Sequence, residues 1–280
     1  METVETRDGL ALVMRHWPLP TARRRVLIVH GLGEHAGRYD DVARSLNQAG
    51  YAVSAHDQRG HGRSPGPRGG IPAADSLCAD LACVIDALQH VDGRTPVLLG
   101  HSLGGLVAAR FVAESLVQTP AAWRRAVPAL MLSSPALDAG MSGPQKALLA
   151  LLGALAPGLA VGNGLEAAWL SRDPAVVRAY EQDPLVHDRV TARLVRFIVD
   201  AGQQVRRLAP LWRTPTLLLW AGADRCVAPA GSAAFAAAAP TGCVQHQVWP
   251  ALRHEIFNEP EREQVLRRVL AFLQQLPDPA

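Results

Sequence analysis

Ser102 stands in Gly100-His101-Ser102-Leu103-Gly104, directly after the apolar run Pro96-Val97-Leu98-Leu99 and directly before a helical pattern. A serine on a strand-to-helix turn of this G-x-S-x-G kind is held with its hydroxyl exposed, as nucleophilic catalysis requires. Such a turn strains the serine backbone, and side chains two residues to either side would collide. Glycines at 100 and 104 remove those collisions. A hydroxyl becomes a useful nucleophile only when an imidazole takes its proton, and a carboxylate then fixes the tautomer and stabilises the imidazolium. Asp224 follows the apolar run Thr216-Leu217-Leu218-Leu219-Trp220, and His254 follows an extended run at 243–249. All three candidates therefore fall just beyond strand ends, where functional groups of open α/β sheets gather.

Each candidate has rivals. Gly62-Arg63-Ser64-Pro65-Gly66 also matches G-x-S-x-G, but the residue after a nucleophilic serine should donate its N–H to the oxyanion, and Pro65 has none. No strand leads into Gly62, so Ser64 reads as a loop residue. Among the ten histidines, His254 alone combines a late position, a post-strand loop and a following helix. His101 adjoins the nucleophile, where a tight turn points its side chain away. His30 ends a strand and reads as a structural hydrogen-bonder, while His56 and His61 read as scaffold of their loop. Asp57 comes too early in the chain, and Asp188 and Asp200 lie in a helical segment whose carboxylates read as solvated.

Two backbone N–H groups are needed where the oxyanion develops. Leu103 opens the nucleophile helix, where the helix dipole also helps, and Leu32 in His30-Gly31-Leu32-Gly33 is the expected second donor. Glu34 and Arg38 follow that loop and are candidates to meet a polar head group, with a surface ion pair as the plain alternative. Cys226, two residues past Asp224, reads as a buried bystander near the site.

The elements that must position these groups follow from hydrophobic patterning. Residues 3–17 around Asp8-Gly9 read as a β-hairpin. Val26-Leu27-Ile28-Val29-His30 is a continuous apolar run, the mark of a strand buried on both faces of a parallel sheet. A helix is expected from about 39 to 49, a strand at 51–55, and a helix over 74–90. The strand at 96–101 and its helix to about 117 come next, then a strand at 128–133. The α/β alternation breaks between 136 and 208, where the pattern is helical throughout and 148–159 is unusually apolar; it resumes with a strand at 216–220. A helix at 229–239, a strand at 243–249 and a helix from about 259 to 276 complete it. The expected architecture is a single α/β domain over 1–280. It has a mostly parallel central sheet, helices on both faces and a helical cap, 136–208, over the sheet's carboxyl edge.

Composition excludes other classes. Of 280 residues, 49% are hydrophobic, and the formal charge is +3. Lys146 is the only lysine and no arginine run exceeds Arg23-Arg24-Arg25, so no nucleic-acid surface is expected. Four cysteines at 78, 83, 226 and 243 show neither Cys-x-x-Cys nor metal-ligand spacing, which fits reduced thiols in a cytoplasmic protein. Neither a secretory signal nor a membrane-spanning run is read. Gly31-Leu32-Gly33 lacks the third glycine of a dinucleotide fingerprint, so no cofactor and no metal is expected.

Three segments together, His30-Gly31-Leu32-Gly33-Glu34-His35-Ala36-Gly37-Arg38-Tyr39, Asp57-Gln58-Arg59-Gly60-His61-Gly62-Arg63-Ser64 and Gly100-His101-Ser102-Leu103-Gly104-Gly105, carry a family resemblance. With Ala221-Gly222-Ala223-Asp224-Arg225 and His254-Glu255-Ile256-Phe257-Asn258-Glu259, the chain resembles the monoacylglycerol lipase and lysophospholipase group of α/β-hydrolases. The resemblance is weakest over 136–208. It implies the same triad, Ser102, Asp224 and His254, and the same oxyanion donors, Leu32 and Leu103. It also implies a cap that shapes an acyl-chain tunnel and touches membranes. The expected reaction is hydrolysis of a single-chain lipid ester, such as a monoacylglycerol, through an acyl-enzyme. The apolar stretch 148–159 would line the tunnel or dip into an interface, against plain packing of cap helices as the alternative. Rival readings are a lysophospholipase or general carboxylesterase, a proline-releasing peptidase using Glu34 or Glu166, and a non-catalytic binding protein.

Overall fold

A computed structural model describes residues 2–278, the side chain at position 146 excepted. The first strands, β1 (Thr3–Glu5) and β2 (Ala11–Trp17), form the expected antiparallel hairpin, with Val4 opposite Leu12. There follow β3 (Arg25–Val29), α1 (Asp40–Gln48), β4 (Ala52–His56), α2 (Ser76–Asp92), β5 (Val97–His101), α3 (Ser102–Ala113) and β6 (Leu130–Ser133). The middle segment carries α4 (Gly143–Leu155), β7 (Ala160–Gly162), α5 (Pro174–Gln182), β8 (Arg189–Thr191) and α6 (Ala192–Leu208). The chain closes with β9 (Thr216–Ala221), α7 (Pro229–Ala238), β10 (Val244–Trp249) and α8 (Arg262–Gln275).

Eight strands make one sheet in the order β1-β2-β4-β3-β5-β6-β9-β10, parallel from β4 to β10 and antiparallel only through β1 and β2. Strand β3 shows why an unbroken apolar run belongs here. Val26 and Ile28 join the core beneath α1 and α8, while Leu27 and Val29 join the core beneath α2 and α3. With a side-chain period of two, a strand covered on both faces is apolar at nearly every position. Burying each such side chain fully is worth about 1.5–3 kcal/mol.

The middle segment differs from a uniformly helical reading in two ways. Strands β7 and β8 pair antiparallel, Ala160 with Thr191 and Gly162 with Arg189. Three residues per strand are too few for a period to emerge from the sequence. Helix α6 also packs within the main core: Leu194, Phe197, Ala201, Val205 and Leu208 recur at helical spacing and are buried in the same cluster as α3. Gly202 allows that approach, since a Cβ there would lie 2.5 Å from the Leu137 carbonyl oxygen. Helix α4, by contrast, leaves Leu148, Leu151 and Leu155 more than half exposed. Among the described residues no helix is long and apolar enough to cross a membrane.

The parallel register brings the carboxyl ends of β3, β5, β9 and β10 to one edge of the sheet. The loops leaving those ends carry His30 to Gly33, Ser102, Asp224 and His254.

Candidate active site

The turn from β5 into α3 has no intervening loop: β5 ends at His101 and α3 begins at Ser102. Ser102 sits at φ +52°, one of two described non-glycine residues in the left-handed region. A residue without glycine's freedom is held there only where its surroundings enforce it, at a cost of order 1–3 kcal/mol. The glycines at 100 and 104 are required by contact. A Cβ on Gly100 would lie 2.5 Å from the Gly104 carbonyl oxygen, and one on Gly104 would run into the carbonyls of Val29 and His30.

The three strand-end residues meet. His254 Nε2 lies 2.8 Å from Ser102 Oγ, and His254 Nδ1 lies 2.7 Å from Asp224 Oδ2. A carboxylate only accepts, so Nδ1 carries the proton and Nε2 presents its lone pair to the serine hydroxyl. Asp224 is fixed in turn, its Oδ1 accepting from the N–H groups of Cys226 and Val227 at 2.8 and 3.1 Å. Burial works against a charged His254. Asp224's charge and hydrogen bond, helped by Glu255 and Glu34, outweigh it, and the imidazole pKa is raised above its ordinary value.

Leu32 and Leu103 both border the space in front of Ser102. Leu103 is the second residue of α3, within the first turn, whose N–H groups have no intrahelical acceptor. Gly31 brings the other loop close: a Cβ there would stand 3.1 Å from Ser102 Cβ. That space is a cavity of about 510 Å³. Leu149 and Leu152 of α4, with Leu159, Val161 and Ile198, give it aliphatic walls, and Gln145, Asn163 and Thr191 add polar points. Its size is typical of a small-molecule site.

Glu34 and Arg38 take a different place from either sequence expectation. Neither is among the residues lining the cavity, and neither is on the surface. Arg38 donates to Glu34 Oε2 at 2.8 Å and to both carboxylate oxygens of Glu255 at 2.5 and 2.7 Å. Glu34 Oε1 accepts from Tyr39 Oη at 2.7 Å and from the N–H of Gly31 at 2.6 Å. Burial opposes ionisation of both acids, but the Arg38 guanidinium holds Glu34 and Glu255 below the ordinary carboxylate range. A surface pair would be worth under about 1 kcal/mol, whereas removing one partner of a buried set costs about 3–5 kcal/mol.

The rejected candidates are structural. Ser64 Oγ donates to the Asp57 carbonyl at 2.6 Å and accepts from the Val13 N–H at 2.8 Å. The Asp57 carboxylate ties down two loops through the N–H groups of Ala36 and Arg63, each at 2.8 Å. His101 points away from Ser102 toward Ser133 Oγ at 3.0 Å, and burial lowers its pKa to about 4. Asp200 pairs with Arg196 on an exposed face of α6. Cys226 borders the cavity, its thiol pKa pushed up by burial. Its sulfur, a carboxylate oxygen of Asp224 and a ring nitrogen of His254 lie within 4.8 Å of one another.

Two features had no sequence signal. Glu255 sits 217 positions from Arg38, so no spacing announces the pair. The histidine loop is held by the middle segment through backbone groups: the N–H of Glu255 donates to the Leu170 carbonyl at 2.8 Å, and that of His254 to the Trp169 carbonyl at 3.4 Å. Arg172 on Glu259, at 2.7 Å, adds a side-chain tie.

Known proteins resemble this chain in sequence and fold. Residues 20–261 match the family model Hydrolase_4, described as serine aminopeptidase S33. A monoacylglycerol lipase of Mycolicibacterium smegmatis is 36% identical over 270 residues, 95% of this chain and 93% of that protein. The phospholipase YtpA of Bacillus subtilis is 30% identical over 89% of this chain and 95% of its own length. Among solved structures, a monoacylglycerol lipase of Paleococcus ferrophilus superposes with a TM-score of 0.82 at 34% identity, covering 95% of this chain and 99% of that one. With the family model matched over most of its length, the chain belongs to the Hydrolase_4 (serine aminopeptidase S33) family and has the α/β-hydrolase fold.

Proposed function

We propose that this chain is a serine hydrolase that cleaves carboxylic esters of single-chain lipids, monoacylglycerols foremost, through an acyl-enzyme. The observation that carries the reading is the hydrogen-bonded line Ser102–His254–Asp224, at 2.8 and 2.7 Å, opening on an aliphatic cavity of about 510 Å³. Relatives bearing the name monoacylglycerol lipase, similar over nearly the whole chain, support the same substrate class.

In this mechanism Ser102 Oγ attacks the ester carbonyl while His254 Nε2 takes its proton. The negative charge gathers on the former carbonyl oxygen, where the N–H groups of Leu32 and Leu103 receive it. The intermediate collapses, the alcohol leaves with the proton from His254, and the acyl group stays on Ser102. Water then attacks that ester, giving its proton to His254, and the second collapse returns the proton to Ser102 as the acid departs. Asp224 keeps the imidazole in the required tautomer throughout. The aliphatic walls take the acyl chain. Glu34 and Arg38 act by holding the oxyanion loop, through the Glu34 bond to Gly31.

In the cap, 136–208, residues 139–165 with α4 among them supply much of the lining of this cavity. Leu151 and Leu155 are 55% and 75% exposed and lie one turn apart on α4. Exposed leucines on the helix that also lines a lipid site suit transient contact with a membrane surface, where a single-chain lipid resides.

A substrate panel tests the reading: monoacylglycerols, lysophospholipids, short p-nitrophenyl esters and prolyl amides. Monoacylglycerols are expected to give the highest kcat/KM. Turnover of prolyl amides alone would reassign the chain to a peptidase, and no turnover at all would favour a binding protein. For the surface contact, cosedimentation with phosphatidylcholine vesicles should weaken about tenfold in a Leu151→Gln/Leu155→Gln variant. Unchanged cosedimentation counts against the contact.

A further inference from the structure

His30 is a fully buried titratable residue beside the site that the chemistry above leaves unused. It follows β3 directly, and both ring nitrogens are engaged. The N–H of Gln58 donates to Nε2 at 2.9 Å, and Nδ1 lies 2.8 Å from the carbonyl oxygen of Gly31. A backbone N–H can only donate, so Nε2 holds a lone pair. The proton of the neutral ring is then on Nδ1, which donates to Gly31. Burial keeps the ring neutral by lowering its pKa.

The Gly31 carbonyl and the Leu32 N–H belong to one planar peptide unit, and no described peptide bond is cis. In a trans unit the two groups point in opposite directions, so fastening the carbonyl aims the N–H. That plane turns about ψ of Gly31 and φ of Leu32, and Gly31, which has no side chain, leaves the first of these torsions free. Glu34 holds the Gly31 N–H, which belongs to the preceding peptide unit. His30 is therefore the side chain seen to hold the unit that carries the Leu32 donor, while Leu32 itself borders the cavity beside Ser102.

We infer that His30 is a positioning residue for catalysis: its Nδ1–H bond to the Gly31 carbonyl keeps the Leu32 N–H turned into the oxyanion hole. The inference rests on the hydrolase reading above. His30 also has a plainly structural tie through its other nitrogen and its carbonyl, which accepts from Gln58 Nε2 at 2.6 Å. The two roles use different atoms, so variants separate them.

An asparagine at 30 places an amide N–H where Nδ1 stands and keeps the Gly31 bond. A glutamine reaches the Nε2 position and keeps the Gln58 bond instead. A leucine matches asparagine in shape and has no donor. Loss of one oxyanion donor costs about 10²–10³ in kcat. His30→Gln and His30→Leu should each lose about that much with KM within about threefold of the wild type, at a melting temperature confirming the fold. His30→Asn should retain at least tenfold more kcat than either. A boronic acid inhibitor, whose oxygen occupies the hole, should weaken in step with kcat across the series. Either His30→Gln or His30→Leu suffices for the comparison if the other does not fold. Equal kcat in His30→Asn and its comparator, or a loss confined to KM, overturns the inference. Ser102→Ala is measured alongside. Its activity at wild-type level would mean that the hydrolase reading has failed, whereas an inactive Ser102→Ala beside an unimpaired His30→Gln overturns only the role of His30.

Discussion

Ser102→Ala is expected to reduce ester turnover by about 10⁵–10⁶-fold while leaving the fold and the substrate KM nearly unchanged. The size follows from what the substitution removes. His254 keeps its bond to Asp224, and the cavity keeps its walls, but no atom remains that can take the acyl group. Members of such a triad act as a unit, so loss of the nucleophile costs nearly as much as loss of all three, and only the oxyanion donors and binding remain. The protein should not be destabilised. Ser102 occupies φ +52° under constraint from β5 and α3, and alanine tolerates that region about as poorly as serine does. A melting temperature within a few degrees of the wild type, beside the lost turnover, checks both halves. Residual activity above about one per cent would contradict the assignment.

Asp224→Asn should lower kcat about 10⁴-fold. The amide can present an N–H where the carboxylate presented an acceptor. His254 Nδ1 then loses its proton's partner, and the ring turns to the tautomer whose Nε2 can no longer accept from Ser102. The charge lost also matters to pH dependence. In the wild type His254 must be neutral to act as base, and its pKa is raised, with Asp224 the leading stabiliser against burial. Activity should therefore fall as pH drops through a midpoint above histidine's ordinary value of about 6.5. With Asp224 neutralised that support is gone, so the acid limb of the residual activity should move to lower pH. A kcat/KM profile of both proteins measures the two midpoints. A shift toward higher pH in Asp224→Asn would contradict the electrostatic account.

The parts of the fold that were legible in the sequence share a cause. Strands β3, β5 and β9 are buried on both faces, so each carries an unbroken apolar stretch that stands out at any register. Ser102 and Asp224 could be located because each follows such a strand, His254 because it follows the extended run of β10, and a parallel sheet brings all those ends to one edge. Backbone chemistry then separated Ser102 from Ser64: Pro65 cannot donate where Leu103 can.

What stayed hidden depends on distance along the chain or on the backbone. Glu34 and Arg38 are four residues apart, and their pairing was readable. Their burial was not, because it comes from Glu255 and Tyr39, which close around them in space. The clamp on the histidine loop runs through the carbonyls of Trp169 and Leu170, groups that every residue possesses. Strands β7 and β8 have three residues each, too short for alternation. Helix α6 reads as one more helix of the middle segment. Only its neighbours reveal that its apolar face belongs to the core with α3.

The central claim, a covalent acyl intermediate on Ser102, is open to direct observation. The protein is mixed with a monoacylglycerol, quenched in acid within the first turnovers, digested and analysed by mass spectrometry. The account predicts a peptide containing Ser102 that is heavier by the acyl group, and predicts that the adduct is absent from Ser102→Ala. An acyl group on another residue, or glycerol release without any adduct in a protein fully competent for turnover, would contradict it.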